Sequence, residues 1–197
     1  RICRNVIQNL SFFMIKTIIF DFDGVIVNNY ELHFSLIQKQ ITGITREEHK
    51  QLFDGNVNVE REKFSHRNTG FDLKKYFSDA KASMNIDIEI KKILKLLSQT
   101  YILGIVTSAK EYGIENCLHN NQLDNIFSFI YGYETAKLKK DKFEKVFSES
   151  HISAQECIFI TDTLGDILEA HEAGIETIAV DFGYHERERL KKGNPKA

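Results

Sequence analysis

Short apolar runs alternate with amphipathic segments along most of this sequence, and this alternation limits the folds that it can form. The runs have the length and composition of buried strands, and they lie at residues 18–20, 101–106, 126–131, 157–160 and 176–180. Strands that alternate with helices indicate a parallel sheet that is covered on both faces. The sequence therefore predicts an α/β fold with a doubly wound parallel sheet.

The segments around the later strands have the apolar spacing of helices. They predict helices over residues 90–97, 110–120, 139–150, 164–173 and 184–192. Gly174 follows the fourth of these helices directly, at a position where a left-handed residue commonly ends a helix.

A different kind of sequence, polar and with helical spacing of its apolar residues, occupies residues 28–84. It predicts a few short helices and no strand. Thr45 and Glu48 have the spacing of a capping box, so we expect a helix to begin just after Thr45. We predict that residues 28–84 form a small all-helical cap inserted into an α/β core of residues 14–27 and 85–197.

The first residues of the sequence, 1–13, are basic and then apolar. This order weakly resembles a secretory signal, but no small-residue cleavage site follows, and Met14 offers a natural start. We interpret residues 1–13 as an upstream extension and as a candidate for disorder. No apolar run approaches the length of a transmembrane helix, so we expect no membrane partner.

Charge and cysteine usage argue against several classes of function. The sequence has 28 acidic and 26 basic residues and a net charge of -2, which gives no reason to expect a nucleic-acid partner. Cys3, Cys117 and Cys157 have neither a CxxC nor a zinc-finger spacing. We interpret them as small core residues, which suits a reducing, cytoplasmic location.

Two carboxylates follow the first apolar run, in the sequence Asp21-Phe22-Asp23-Gly24. Side chains alternate along an extended segment, so Asp21 and Asp23 should point the same way. Neighbouring buried carboxylates repel each other unless a cation compensates them, and Mg2+ binds carboxylate and carbonyl oxygens. A strand that ends in a simple Asp-Gly turn is the alternative.

Polar residues also end two of the later strands. Thr107 follows the run at 101–106, and Asp162 comes shortly after the run at 157–160. Ligands of a doubly wound sheet bind beyond the carboxyl ends of its strands, so we expect these polar groups at one edge. Asp166 lies four residues after Asp162 and should share its helix face. Thr107 could instead cap the helix that follows it.

These motifs resemble those of the haloacid dehalogenase-like superfamily, most closely its phosphoglycolate phosphatase-like branch with a small helical C1 cap. Residues 21–25 resemble the first motif and Thr107 resembles the second. Residues 162–166 resemble the fourth motif, although Thr161 replaces the usual glycine. The resemblance covers about residues 15–192.

The third motif of that family is a lysine before the helix that leads to the fourth strand. Lys137, Lys139 and Lys140 are available here. The common pattern puts the lysine six residues before an aromatic residue, and Phe143 then selects Lys137. Both prolines of that pattern are missing, and a shorter variant would select Lys139. We favour Lys137 and keep Lys139 as the alternative.

The resemblance implies a Mg2+-dependent phosphatase that hydrolyses a small phosphorylated metabolite through an aspartyl phosphate. Asp21 would be the nucleophile and Asp23 the general acid and base. The other residues implied at the phosphoryl group are Thr107, Ser108, Lys137 and Lys139. The implied metal ligands are Asp21, Asp23, Asp162 and Asp166. A phosphomutase and a non-catalytic binding protein of the same fold are the alternatives, and the sequence leaves the oligomeric state open.

Other charged residues have a simpler interpretation. Arg61, Lys63, His66 and Arg67 form a basic cluster that could meet a second anionic group of a substrate. We favour a solvated helix face for this cluster, and a solvated position for Glu169 as well.

Overall fold

The computed structural model describes residues 15–197, so the interpretations of residues 1–13 and of Cys3 lie outside the described part. The described chain folds around a five-stranded sheet whose neighbouring strands are all parallel. The strands are β1 (Thr17–Phe20), β2 (Ile102–Val106), β3 (Phe129–Tyr131), β4 (Cys157–Thr161) and β5 (Glu176–Ala179). Their order in the sheet, β3-β2-β1-β4-β5, confirms the predicted doubly wound fold.

Helices lie on the faces of the sheet and also make up most of the segment between β1 and β2. The α-helices are α1 (Tyr30–Gln40), α2 (Arg46–Gln51), α3 (Val57–Glu60), α4 (Leu73–Ala82), α5 (Ile88–Leu97), α6 (Glu111–Asn120), α7 (Lys139–Ser150), α8 (Leu164–Glu172) and α9 (Arg187–Leu190). Short 3-10 helices span Arg61–Arg67, Ala154–Glu156 and Lys191–Gly193.

The central strand β1 determines which residues meet at the carboxyl edge of the sheet. Phe20 lies opposite Ile105 of β2 and Ile160 of β4. The residues that follow these three positions therefore emerge side by side. β2 and β3 lie on one side of β1 in the sheet, and β4 and β5 lie on the other. The carboxyl edge beside β1 is therefore a topological switch point.

Both faces of β1 are buried, as expected for the central strand of a parallel sheet. Ile18 and Phe20 pack into one apolar cluster, whereas Ile19 packs into the other, together with Phe143 and Phe159. Alternate residues of one short strand thus join the two halves of the core.

Residues 30–82, which we call the helical insert, contain α1 to α4 and contribute no strand to the sheet. Thr45 Oγ1 accepts a hydrogen bond from the Glu48 N–H, and the Glu48 carboxylate accepts one from the Thr45 N–H, which confirms the predicted capping box. The insert has its own apolar cluster, which consists of Phe34, Leu36, Ile37, Ile41, Ile44, Leu52, Val57, Leu73 and Phe77 with further half-buried residues.

The helical insert packs against the rest of the chain beside the carboxyl edge of the sheet. The N–H of Gly165, at the start of α8, donates to the Phe53 carbonyl oxygen at 2.8 Å. Lys50 pairs with Glu186 at 2.7 Å, and α4 packs on α6. These contacts hold the insert over the place where the polar strand ends meet.

Two elements are shorter than the sequence predicts. β3, an edge strand, covers only the end of the run at 126–131. The last helix, expected over 184–192, begins later as α9. Tyr184 and His185 do not join it because their N–H groups donate to Asp162, to Oδ2 and to the carbonyl oxygen respectively.

The two cysteines of the described residues and Gly174 lie as the sequence predicts. Cys117 and Cys157 are both free and buried, which confirms their interpretation as core residues. Gly174 has φ +79°, as predicted for the residue that ends α8. Among residues 15–197, no helix combines the length and the apolar character needed to cross a membrane.

A buried histidine pair in the helical insert links stability to pH. Nδ1 of His33 lies 2.7 Å from Nε2 of His49, and both rings pack against Phe53 and Tyr184. Burial lowers the pKa of His49 to about 3 and holds the pKa of His33 well below its usual value. Below about pH 6.5 the unfolded chain takes up protons that the folded chain excludes, so this stabilisation is lost as the pH falls.

We predict that a His49→Gln variant loses less stability on acidification than the wild type does. One histidine that stays neutral in the folded chain lowers the free energy of unfolding by about 1.4 kcal/mol when the pH falls from 7.5 to 5.5. Urea denaturation at the two pH values measures the difference. His66→Gln, at an exposed position of the same insert, is the control and should follow the wild type. Equal pH dependence in His49→Gln and wild type would contradict the prediction.

Candidate active site

The carboxyl ends of three neighbouring strands bring polar side chains together. Asp21 follows β1, Thr107 follows β2, and Asp162 follows β4. All three are buried, with exposed fractions of 7%, 1% and 0%. The structure thus places these residues at one edge, as the sequence predicts, because the parallel register of the strands fixes their ends.

Asp21 is an acid in a low-polarity position with a cation beside it. Its Oδ2 lies 3.0 Å from Lys139 Nζ, and its Oδ1 accepts a hydrogen bond from the Phe22 N–H at 2.7 Å. Burial raises the pKa of Asp21 to about 7, with Asp166 and Asp23 adding to the effect and Lys139 opposing it. A second cation near Asp21 would favour its ionised form at neutral pH.

Lys139 connects two of the carboxylates. It is the first residue of α7 and only 1% exposed, and its Nζ lies 2.6 Å from Asp166 Oδ2 as well as 3.0 Å from Asp21. Although burial opposes this, the two carboxylates raise the pKa of Lys139, so the side chain stays a cation. Glu169 fixes the helix start, since its carboxylate accepts hydrogen bonds from the N–H groups of Lys139 and Lys140.

The position of Lys137 requires a correction. Lys137 is exposed and lines an outer groove, and only Lys139 of the two lysines lines the cavity next to Asp21. Leu138 is extended and α7 begins directly after it, so the helix start brings Lys139 to the strand edge. The chain lacks the prolines of the common pattern, and the lysine beside Asp21 is the one that the shorter variant of the motif selects.

Asp166 and Thr161 form a buried pair. The Thr161 hydroxyl donates to Asp166 Oδ2 at 2.7 Å, in the position where the sequence pattern has a glycine. Against the effect of burial, Lys139 and this hydroxyl lower the pKa of Asp166. The threonine therefore adds a hydrogen bond to the site. Glu169, expected in solvent, instead binds the start of α7 and the Asn56 side chain.

Asp23 has a different set of partners from Asp21. Its Oδ2 accepts a hydrogen bond from Lys81 Nζ, and its Oδ1 accepts one from the Asn29 side chain, both at 2.6 Å. Lys81 lies on α4 of the helical insert and is fully buried. Neither partner was assigned from the sequence. No local motif marks these two residues, and Lys81 reaches the end of β1 only because α4 packs there.

Asp162 is tightly enclosed and only partly hydrogen-bonded. A Cβ atom on Gly24 would lie 1.9 Å from Asp162 Oδ2, and one on Gly183 would lie 2.2 Å from it. Oδ2 accepts the Tyr184 N–H at 2.7 Å, whereas the buried Oδ1 has no hydrogen-bond partner in the described part of the chain. Burial and the nearby Asp21 raise the pKa of Asp162 well above its usual value.

Thr107 and Ser108 border the cavity from the β2 side. Thr107 Oγ1 accepts the Ala109 N–H at 3.3 Å, and the Thr107 carbonyl oxygen accepts a hydrogen bond from Lys142 Nζ at 2.5 Å. Lys142 is fully buried, and burial, with the nearby Lys139, lowers its pKa to about 8. The sequence analysis missed this lysine, which holds the Thr107 backbone in place.

Several of these side chains, including Asp21, Asp23, Lys139 and Asp166, line a small cavity of about 70 Å³. Core and insert both contribute to its lining, which consists of Asp21, Asp23, His33, Phe53, Gly55, Val57, Arg61, Thr107, Ser108, Ala109, Lys139, Thr163, Asp166 and Tyr184. The basic cluster predicted in solvent is therefore divided, because Arg61 faces this cavity.

The donor set can be compared with the needs of a hard cation. Within residues 15–197, no group of three or more histidine, cysteine, aspartate or glutamate side chains is arranged to hold a metal ion. Lys139 neutralises Asp21 and Asp166 instead. However, the unpaired Oδ1 of Asp162 and the raised pKa values of Asp21 and Asp162 fit a further positive charge between these two acids. Oxygen ligands of this kind suit Mg2+.

The sequence profile of the haloacid dehalogenase-like hydrolases matches residues 18–180. The chain belongs to this family. The match confirms the resemblance drawn from the motifs at the strand ends, and it includes the segments that carry all of those motifs.

Relatives of this chain include a phosphoglycolate phosphatase from Colwellia psychrerythraea, 26% identical over 106 residues. That match covers 52% of this chain and 47% of the relative, so the chain matches about half the length of such relatives. The pyrophosphatase PpaX from Bacillus cereus is 23% identical over 196 residues and matches 92% of this chain and 90% of its own length.

Solved structures of the same fold are also similar. A haloacid dehalogenase-like hydrolase from Streptococcus pneumoniae has a TM-score of 0.73 at 21% identity, with 92% of both chains covered. CbbY from Rhodobacter sphaeroides in complex with xylulose-(1,5)bisphosphate has a TM-score of 0.74 at 18% identity, covering 92% of this chain and 93% of that one. At these identities the likeness shows the shared fold.

We predict that Lys139→Met destabilises the folded chain much more than Lys137→Met does. Removing Lys139 leaves Asp21 and Asp166 buried without their cation, which costs about 3–5 kcal/mol. Lys137 is exposed, so its variant should stay within about 0.5 kcal/mol of the wild type. Urea denaturation at pH 7.5 without added metal measures both. Similar losses for the two variants would show that Lys139 does not neutralise the buried acids.

Proposed function

We propose that the chain is a Mg2+-dependent phosphatase that hydrolyses a small phosphate monoester through an aspartyl-phosphate intermediate. One observation carries the proposal: the Asp21 carboxylate, the Lys139 ammonium group and Thr107 border the same small cavity. A nucleophile, a buried cation and a hydroxyl at one point are what phosphoryl transfer requires. The phosphatases among the relatives support this choice of reaction.

Asp21 acts as the nucleophile in the proposed first step. Its carboxylate oxygen forms a bond to phosphorus while the bond from phosphorus to the substrate oxygen breaks. Lys139, at 3.0 Å, favours the ionised carboxylate and binds an oxygen of the transferred group. Thr107 and the N–H of Ser108 bind further phosphoryl oxygens. Lys142 acts indirectly, by fixing the Thr107 carbonyl.

Asp23 acts as the general acid and then as the general base. In this step Asp23 enters as the carboxylic acid and gives its proton to the departing substrate oxygen. The resulting carboxylate then takes a proton from the water that attacks phosphorus, and this attack breaks the bond from phosphorus to Asp21. Proton transfer of this kind contributes typically about 10²–10⁴-fold. Asn29 and Lys81 hold both oxygens of Asp23, so these two residues orient it.

The residues proposed to hold Mg2+ are Asp21, Asp162 and the backbone carbonyl of Asp23. When bound, Mg2+ supplies positive charge to the phosphoryl oxygens. Asp166 acts through Lys139 and Thr161, to which it is already bound. We also propose that residues 28–84 serve as the cap, since insert residues line the cavity and would exclude water from it. Buried Cys117 and Cys157 suit the cytoplasmic location expected from the sequence.

We predict that Asp21→Asn lowers phosphate release on the order of 10³-fold or more, because an amide cannot form the acyl phosphate. Phosphate release from sugar phosphates, phosphoglycolate, nucleotides and pyrophosphate is measured with Mg2+ and, in parallel, with EDTA. Asp181→Asn is the matched control, since Asp181 follows β5 at the same edge but pairs with Arg187 at the surface.

Several outcomes would contradict the proposal. Unchanged phosphate release in Asp21→Asn would exclude the nucleophile, and full activity in EDTA would exclude the metal. Exchange of phosphate between positions of a sugar, with little release, would favour a phosphomutase. A phosphoenzyme that resists acid but is cleaved by hydroxylamine, seen in wild type and lost in Asp21→Asn, would support the intermediate.

A further inference from the structure

We propose that the substrate carries a second anionic group, a carboxylate or a second phosphate, and that Arg61 binds this group. The proposal rests on the phosphatase function above and adds the class of substrate. It concerns a residue of the helical insert that none of the motifs at the strand ends includes.

Arg61 is a half-buried cation, and no acidic side chain in residues 15–197 pairs with it. It is the first residue of the 3-10 helix Arg61–Arg67 and lines the cavity that also contains Asp21 and Thr107. Its Nε is buried and makes no hydrogen bond, and no carboxylate in residues 15–197 lies within ion-pair distance of it. Burial lowers the pKa of Arg61 to about 10, so the side chain is still a cation at neutral pH.

The other members of the basic cluster behave differently. Lys63 pairs with Glu60 and is mostly exposed, and Arg67 pairs with Glu48 at 2.7 Å. His66 is exposed. The Nε of Arg61 is buried without a hydrogen-bond partner, and leaving a donor of a charged group unpaired in this way is costly. The contrast within one short helix therefore indicates that Arg61 faces a binding partner from outside the chain.

A groove next to the cavity extends this positive region. The groove has a volume of about 260 Å³ and shares Arg61 with the cavity of the carboxylates. Lys74 and Lys137 line it, and Lys74 Nζ lies over the Tyr133 ring, 3.1 Å from its centre, while also donating to Asn58 at 3.2 Å. A substrate whose phosphoryl group lies at Asp21 would extend past Arg61 into this groove, where the cations Arg61, Lys74 and Lys137 outnumber the one acid, Glu62.

The chemistry of the groove favours an anion at the far end of the substrate. A guanidinium group binds carboxylate and phosphate through two parallel hydrogen bonds, and such charge-assisted bonds are stronger than neutral ones. An alkyl group at the same place would leave the buried Nε of Arg61 without an acceptor, and a neutral hydroxyl would supply no compensating charge. The site should therefore discriminate against phosphate esters that lack the second anion.

The test compares substrates that differ only in the second anion. Phosphoglycolate is paired with ethyl phosphate, and glucose 1,6-bisphosphate with glucose 1-phosphate, so that the two pairs distinguish a carboxylate from a second phosphate. Each is assayed with wild type, Arg61→Gln and Arg61→Lys. Lys63→Gln, an exposed cation on the same 3-10 helix, is the matched control.

We expect wild type to prefer the anionic member of at least one pair. Arg61→Gln should lower kcat/KM for that member by roughly 10- to 100-fold and change the neutral member by less than about 3-fold. Arg61→Lys should recover part of the loss, and Lys63→Gln should resemble wild type. An equal effect of Arg61→Gln on both members, or no preference in wild type, would overturn the proposal and leave the phosphatase function intact.

A binding measurement separates failure of this proposal from failure of the proposed function. Calorimetric titration of Asp21→Asn, with and without Arg61→Gln, gives the affinity for phosphoglycolate and for glucose 1,6-bisphosphate without turnover. If wild type releases phosphate from no ester, the phosphatase function fails. Weaker binding of the anionic compounds on loss of Arg61 would still support the anion site, and unchanged or absent binding would exclude it.

Discussion

The buried ammonium group of Lys139 is the interaction on which the rest of this site depends. It lies within 3.0 Å of Asp21 and 2.6 Å of Asp166, two acids that separate segments bring to one edge of the sheet. Burial already raises the pKa of Asp21 to about 7, Asp166 adds to the effect, and Lys139 opposes it, so loss of Lys139 would raise this pKa further. A protonated Asp21 is a poor nucleophile, so one ion pair links the stability of the core with its proposed chemistry.

The two acids of the first motif are separated by their partners. Asp21 lies beside a lysine of the core, whereas Asp23 is bound by Asn29 and by Lys81 of the helical insert. The core thus orients Asp21 through Lys139, and the helical insert holds Asp23 through Lys81. The helical insert also supplies Arg61. Movement of the insert would therefore change the surroundings of Asp23 and the proposed anion site together.

Sequence patterns located the parts of the site that depend on backbone regularity. The carboxyl ends of parallel strands lie at a common edge, so the sequence is enough to predict that Asp21, Thr107 and Asp162 lie close together. Spacing in the sequence could not show which of Lys137 and Lys139 lies beside Asp21, because the start of α7 depends on contacts of Glu169 with its first N–H groups. Such a contact joins residues thirty positions apart and leaves no local signal.

The sheet, the strand ends and the capping box can be predicted from the sequence, because each follows from short-range periodicity or spacing. The pairing of cations with acids depends on how distant elements pack in the folded chain. Lys81 and Lys139 are ordinary helix lysines in the sequence, and their burial results from packing between distant elements. The position of Arg61 at the cavity depends on the same packing. Electrostatic roles at this site depend on distance and desolvation, and both are fixed only when the insert and the core pack together.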